Sequence, residues 1–197
     1  MDPIPLMLTA VAAYTLGSVP FGIVMSRLFG LGDIRKIGSG NIGATNVLRT
    51  GNKPAALLTL IGDAGKGAAA VLIAREVAGE SAAGIAGLFA MLGHLYSVFL
   101  GFTGGKGVAT FLGTLLALSF PVGAAACATW LVTAAVTRYS SLSALMAAAL
   151  APVFTTWLYH WHGALLVVVM TVLIVVKHRD NIARIRAGTE PRIGRKT

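Results

Sequence analysis

Apolar residues run along this chain in long blocks, at about 4–26, 54–75, 82–102, 107–120, 121–138, 141–159 and 161–177. Blocks of this kind predict helices that cross a bilayer, each needing about 20 residues and at least about 17. The fourth is short. Residues 107–138 taken as one helix would nevertheless reach about 48 Å, against a hydrocarbon core of about 30 Å. Pro121 offers a break between two short helices, so the pattern predicts seven spans; five is the rival count if two weak segments are re-entrant. Asp2 rather than a basic residue precedes the first block, which also runs too long for a signal peptide and reads as a retained span.

Composition agrees with the pattern. Of 197 residues, 56% are hydrophobic and 12% charged, and the mean hydropathy is +0.79. The fold class is therefore an all-α polytopic membrane protein, read as one domain over residues 1–197. A single cysteine, Cys127, sits in an apolar run, which leaves no internal disulfide and suggests no metal cluster.

The net charge of +9 is placed unevenly. Arg27, Arg35, Lys36, Arg49 and Lys53 follow the first block, while Lys177, Arg179, Arg184, Arg186, Arg192, Arg195 and Lys196 follow the last. The positive-inside rule puts both segments in the cytoplasm, which requires an odd number of spans, an outside N-terminus and a cytoplasmic C-terminus. Threaded this way, the loops at 27–53, 103–106 and 138–141 and the tail from 177 share the cytoplasmic side. They hold most of the polar, glycine-rich and basic residues.

Three polar constellations stand out. In the first, Gly38, Ser39, Gly40, Asn41, Gly43, Thr45, Asn46 and Arg49 fall in one short run. Glycines let successive N–H groups converge on one anion while Ser, Asn and Arg add side-chain donors, as in a phosphate cradle. In the second, Gly93-His94-Leu95-Tyr96 precedes Gly104-Gly105-Lys106-Gly107. A lysine flanked by glycines can approach a phosphate closely and opens the next helix. Leu100 and Gly107 occupy the places where a Walker A loop needs Gly and Ser or Thr, which argues against ATP. A tight helix–helix turn is the plain alternative. The third is Lys177-His178-Arg179-Asp180-Asn181-Ile182-Ala183-Arg184. A continuous helix would align His178, Asn181 and Arg184 on neighbouring parts of one face, whereas Arg192, Arg195 and Lys196 read as headgroup anchors.

Inside the second block, Asp63 and Lys66 stand three residues apart. Charges at that depth are functional candidates unless they form a structural pair. His94 is a base, a phosphate donor or a structural histidine. Ser140, Ser141 and Ser143 either supply hydroxyls or cap the sixth helix. His160 and His162 lie with Trp157, Tyr159 and Trp161 in what reads as an interfacial aromatic belt.

The segments GSGNIGATNVLR, GHLYSVFLGFTGGKGVAT and HRDNIARIRAGTE, in this order and near these separations, resemble the bacterial acyl-phosphate:glycerol-3-phosphate acyltransferase family, PlsY. The resemblance implies a seven-helix fold in the bacterial cytoplasmic membrane with its active site on the cytoplasmic side. It implies transfer of a fatty acyl group from acyl phosphate to the 1-hydroxyl of sn-glycerol 3-phosphate, giving lysophosphatidic acid. No metal or cofactor is implied. The partners implied are the two substrates, membrane lipid and the soluble enzyme that forms acyl phosphate, with no nucleic acid. By motif, Ser39, Asn41, Thr45, Asn46 and Arg49 belong to the phosphate-binding and catalytic loop, Lys106 with Gly104, Gly105 and His94 to the second motif, and His178, Arg179, Asn181 and Arg184 to the third. Ser97 stands where the family commonly has proline, which implies a locally looser helix with no donor lost.

The residues that are missing fit as well. No His-x4-Asp dyad exists, because Phe99, Leu165, Val167 and Ala183 occupy the required offsets from the four histidines. There is neither a Gly-x-Ser-x-Gly elbow nor a cysteine in a polar setting. Direct transfer between two bound phosphates is the expected chemistry, with a donor phosphate oxygen taking the proton as the resemblance implies. The alternative class, a phosphate or organic-anion transporter, would show paired internal repeats, which the sequence lacks.

Overall fold

The computed structural model describes residues 3–158 and 163–194. Asp2, the belt residues Tyr159, His160, Trp161 and His162, and the anchors Arg195 and Lys196 lie outside the described residues. The regular elements described are all helical. Ile4–Leu28, Lys53–Ala78, Phe120–Thr137 and Ser140–Leu158 are long and apolar enough to cross a membrane, and Val108–Leu118 and Ala164–Lys177 are shorter apolar helices. The chain divides into two compact units, one ending at Leu118 and the other beginning at Ser119.

The first unit contains α1 (Pro3–Gly17), α2 (Phe21–Leu28), the short α3 (Ala44–Leu48), α4 (Lys53–Ala78), α5 (Glu80–Leu95) and α6 (Val108–Leu118). The 26 residues of α4 make it the longest of these. Its start is fixed by Asn52, whose side chain accepts the Ala55 N–H at 2.9 Å, and by proline in the first turn. Gly79, at φ 83, ends it and starts α5 in one tight turn. α1 packs along α5, and α4 along both α5 and α6.

The contacts between these helices are made by small residues. A Cβ on Gly17 would lie 2.0 Å from the Ala90 oxygen, one on Gly93 2.2 Å from the Tyr14 oxygen, and one on Gly113 2.1 Å from the Ala64 oxygen. Ala13, Ala70, Ala74, Ala82, Ala86 and Ala90 form the core between α1, α4 and α5. Backbones brought this close gain dispersion where lipid removes the hydrophobic incentive to associate.

The first apolar block is not one helix. Pro20 lacks an N–H and disfavours helical geometry at the residue before it, so the chain breaks between α1 and α2. The carbonyls left without helical donors find others. Ser97 Oγ donates to Ser18 O at 2.6 Å, and Lys66 Nζ donates to Val19 O at 2.8 Å. Ser97 therefore pins a turn instead of loosening a helix. It lies beyond the end of α5, and its φ of −64 is one that a proline ring would also hold.

Two other boundaries differ from the hydropathy blocks. The third block continues to 102, but α5 stops at Leu95. The apolar residues after it reverse direction through Gly101 and Phe102, both at left-handed φ, with Ser97 bridged to Thr103. The turn expected at 103–106 thus occupies 96–107. Between the fourth and fifth blocks the break falls at Ser119, with Pro121 inside the first turn of the next helix, where no N–H is required of it.

The second unit holds α7 (Phe120–Thr137), α8 (Ser140–Leu158), α9 (Ala164–Lys177) and α10 (Arg179–Arg186). α8 packs against α7 and α9, and α10 against α8 and α9. The continuous helix considered through 177–184 is instead two, jointed at His178 (φ −102, ψ 8).

Gly93→Ala should overpack the α1/α5 contact and cost about 1–3 kcal/mol, read as a lowered Tm in detergent. Gly65→Ala, whose Cβ would meet nothing within 4 Å, should leave the Tm unchanged or slightly raised.

Candidate active site

In the first unit the glycine-rich loop is built on a small apolar anchor. Ile34, Ile42 and Val47 are buried against Ala55 and Ala56 at the start of α4, and Leu100 from the 96–107 turn packs on the same cluster. Both glycine-rich segments are therefore held to one end of α4. Asp33 opens a 3-10 turn over Ile34–Lys36 by accepting the Arg35 N–H at 3.0 Å. Hydrogen bonds from the Arg35 side chain and backbone hold the Asp33 carboxyl down to about 2.

Asn46 is the organising residue of the loop. Buried to 1% exposure, it donates from Nδ2 to Ile34 O at 2.7 Å. Its Oδ1 accepts from the Ser39 N–H at 3.2 Å and from Arg49 Nη1 at 3.2 Å. Asn46 therefore spends both ends of its amide inside the loop, aligning Ser39 and Arg49 rather than facing outward as a donor. Gly38, at φ 54, makes room for this: a Cβ there would sit 2.7 Å from both Arg49 Nη1 and Asn46 Oδ1. Gly40, also left-handed at φ 68, turns the backbone back toward Arg35. Ser39 is exposed, while Asn41, Thr45 and Arg49 are half-buried, and Gly43 caps the start of α3.

The Gly104-Gly105-Lys106-Gly107 segment leads into α6. Gly105 N–H donates to His94 O at 3.0 Å, and Cβ atoms on Gly104 and Gly105 would lie 2.2 Å from His94 O and His94 Nε2 respectively. His94 is thus a packing partner of the turn. Lys106 itself is half-buried. Behind His94, Lys66 and Asp63 pair at 2.8 Å with both side chains buried, and His94 Nδ1 lies 3.4 Å from Asp63 Oδ1.

In the second unit, Asn181 and Arg184 of the third segment, together with Ser141, gather on a carboxylate that sequence reasoning did not single out. Glu190 Oε1 accepts from Ser141 Oγ at 2.7 Å and from Asn181 Nδ2 at 2.6 Å, while Oε2 accepts from Arg184 Nε at 2.7 Å. Partial burial raises the Glu190 pKa, but the hydrogen bonds from Ser141, Asn181 and Arg184 outweigh it and leave it below the usual value. Its position as a carboxylate in a strongly basic tail was the available signal. Of the alternatives for the serines, Ser141 bonds to Glu190 and Ser143 donates to Tyr139 O at 2.8 Å.

His178 is buried at the joint, with Nδ1 2.8 Å from Ile174 O. That bond requires the proton on Nδ1 and makes Nε2 the acceptor of the neutral ring. Arg179 is exposed and lies 3.6 Å from Asp180. Arg192, expected as a headgroup anchor, is exposed and its guanidinium lies 5.5 Å over the Tyr139 ring. Ile193 N–H adds a bond to Arg138 O at 2.7 Å.

These features define a helical membrane protein whose glycine-rich loops present cations and small donors suited to phosphorylated anions. Comparison with known proteins is specific. The chain matches the glycerol-3-phosphate acyltransferase family over residues 7–188 and belongs to it. It is 65% identical over 191 residues to a glycerol-3-phosphate acyltransferase of Cereibacter sphaeroides, covering 97% of this chain and 91% of the relative. The corresponding protein of a Jannaschia species is 63% identical over 188 residues, covering 95% and 93%. Among solved structures, the chain resembles PlsY, an integral membrane glycerol 3-phosphate acyltransferase. The glycerol 3-phosphate form is 38% identical, with a TM-score of 0.90 and 96% of both chains covered. The lysophosphatidic acid form has a TM-score of 0.87 at 36% identity, covering 96% of this chain and 95% of that one.

Glu190→Ala should strand three donors, cost about 2 kcal/mol locally and speed amide exchange across residues 178–194. Because the Glu190 pKa is lowered on folding, its contribution is complete above the ordinary value of 4.5 and is lost as pH falls through the lower folded-state value. Acidification of the wild type should therefore reproduce the exchange phenotype.

Proposed function

We propose that this protein transfers a fatty acyl group from acyl phosphate to the 1-hydroxyl of sn-glycerol 3-phosphate, releasing phosphate and lysophosphatidic acid. The observation that carries the reading is the Ser39–Asn46–Arg49 arrangement, a glycine-rich loop whose buried amide oxygen gathers the Ser39 N–H, the Ser39 hydroxyl and the Arg49 guanidinium. The whole chain acts as one acyltransferase domain with seven spans, its N-terminus outside and its loops and C-terminus cytoplasmic. Positive charge after the first and last spans supports that orientation.

The glycerol hydroxyl oxygen forms a bond to the acyl carbonyl carbon as the bond from that carbon to the phosphate oxygen breaks. The hydroxyl proton passes to a phosphate oxygen of the donor. Arg49 and Lys106 supply full charge to phosphate groups, and Ser39 supplies a directional hydrogen bond. Asn41, Thr45 and the N–H groups of Gly38, Gly40 and Gly43 complete the cradle. Following the resemblance, His178 and Asn181 contribute directional bonds, and Arg179 and Arg184 contribute charge; Ser141, read from the chain itself as a source of a hydroxyl, sits beside them through Glu190. Positioning two bound reactants supplies several kcal/mol of the acceleration, about 7 or more in favourable cases, and stabilising the developing oxyanion adds about 3. The soluble enzyme that makes acyl phosphate is the partner expected at the cytoplasmic face.

Purified protein in lipid should use palmitoyl phosphate but not palmitoyl-CoA with glycerol 3-phosphate, and a chelator should not reduce turnover; use of the thioester, or sensitivity to the chelator, would count against the mechanism. Lys106→Ala and Arg49→Ala should each lower turnover by about 100-fold or more, given charge-assisted bonds of about 2–3 kcal/mol or stronger in a dry site. Ser39→Ala should cost less. Near wild-type turnover in Lys106→Ala at saturating substrates would return its turn to a packing role.

A further inference from the structure

Asp63 and Lys66 are 2% and 3% exposed inside a span, where charge is costly. They belong to the same helix, α4, so their 2.8 Å bond ties no helix to another. What Lys66 does is visible: its ammonium caps the Val19 carbonyl at the break of the first span. Asp63 reaches elsewhere. Its Oδ1 lies 3.4 Å from His94 Nδ1, and its main-chain oxygen accepts from Thr110 Oγ1 at 2.9 Å.

The other edge of the His94 ring rests on Gly105, where a Cβ would lie 2.2 Å from Nε2. Lys106 follows directly, and Thr110 sits in the first turn of α6 just beyond it. Both ends of the short segment carrying Lys106 are thus referenced to residue 63, through an imidazole at the front and a hydroxyl at the rear. A glycine-flanked lysine has little stiffness of its own, so an external reference decides how much freedom it loses when it meets a phosphate.

We propose that Asp63 and His94 are positioning residues for Lys106: the Asp63–Lys66 pair fixes the imidazole, and the imidazole fixes the Gly104–Gly107 turn. The proposal rests on Lys106 being a phosphate ligand, as read above. A pair that only neutralised charge would need neither the ring against Asp63 nor the glycines fitted to its far edge.

The test is steady-state kinetics of the full chain in nanodiscs, varying palmitoyl phosphate and glycerol 3-phosphate in turn. Lys106→Arg, which keeps the charge but moves it, identifies the substrate whose KM depends on that position. Asp63→Asn combined with Lys66→Met removes both charges together, at the cost of the ammonium that caps the Val19 carbonyl, so its Tm is measured first. His94→Asn keeps an amide near the Nδ1 position but withdraws the edge that meets Gly105. Each is expected to raise the same KM by about tenfold or more, while the other KM stays within about twofold; the Tm of His94→Asn should stay within a few degrees, and that of the double variant should fall. His94→Gln, which returns an amide near Nε2, should recover most of the loss. Equal rises in both KM values, or no rise in His94→Asn, would overturn the proposal. If the double variant does not fold, the His94→Asn and His94→Gln comparison decides. Full turnover in Lys106→Ala would instead overturn the reading beneath it.

Discussion

A broken helix inside lipid sets the terms for the first unit. Backbone carbonyls released within a bilayer have no water to turn to, and each one left alone costs several kcal/mol. Pro20 releases two of them near Ser18 and Val19. One is answered by Ser97 and the other by Lys66. A buried ammonium then needs a carboxylate, which is Asp63. That carboxylate faces His94, against which the Gly104–Gly105 backbone is moulded. An interruption in one span is linked in this way, through two hydrogen bonds, an ion pair and close packing, to the turn that carries Lys106.

The glycine-rich segments would be poor binding elements if glycine were all they contained. In the first, freedom at Gly38 and Gly40 is spent on a specific trajectory, and Ile34, Ile42 and Val47 clamp it to α4. The polar residues divide into those that aim and those that are aimed. Asn46 turns its amide inward to align Ser39 and Arg49, and Glu190 does the same in the second unit for Ser141, Asn181 and Arg184. Bonded to one carboxylate, these side chains are held in fixed orientations relative to one another.

Much of this was legible along the chain. Each apolar block contains helix among the described residues, because about 20 apolar residues in succession leave the backbone few other ways to satisfy itself. The three polar constellations were visible because small and charged residues are conspicuous in such a background. Boundaries were less legible. Val98–Phe102 is as apolar as the helix before it, yet Gly101 and Phe102 take left-handed conformations and reverse the chain, which a hydropathy average does not register. The joint at His178 was hidden likewise, since α9 and α10 follow one another without proline or glycine between them. Glu190 was missed because two of its partners, Asn181 and Arg184, lie nine and six positions away at spacings no helix period brings together across the end of α10, and the third, Ser141, lies 49 positions away. Asn46 was seen but given an outward role, because spacing alone does not reveal which way an amide points.

The central claim is that these loops recognise a phosphorylated substrate by its phosphate. The most direct measurement is equilibrium binding of radiolabelled sn-glycerol 3-phosphate to the purified protein in nanodiscs, with no acyl donor present. Saturable one-to-one binding is expected, displaced by inorganic phosphate but not by glycerol. Displacement by glycerol with indifference to phosphate would contradict the claim.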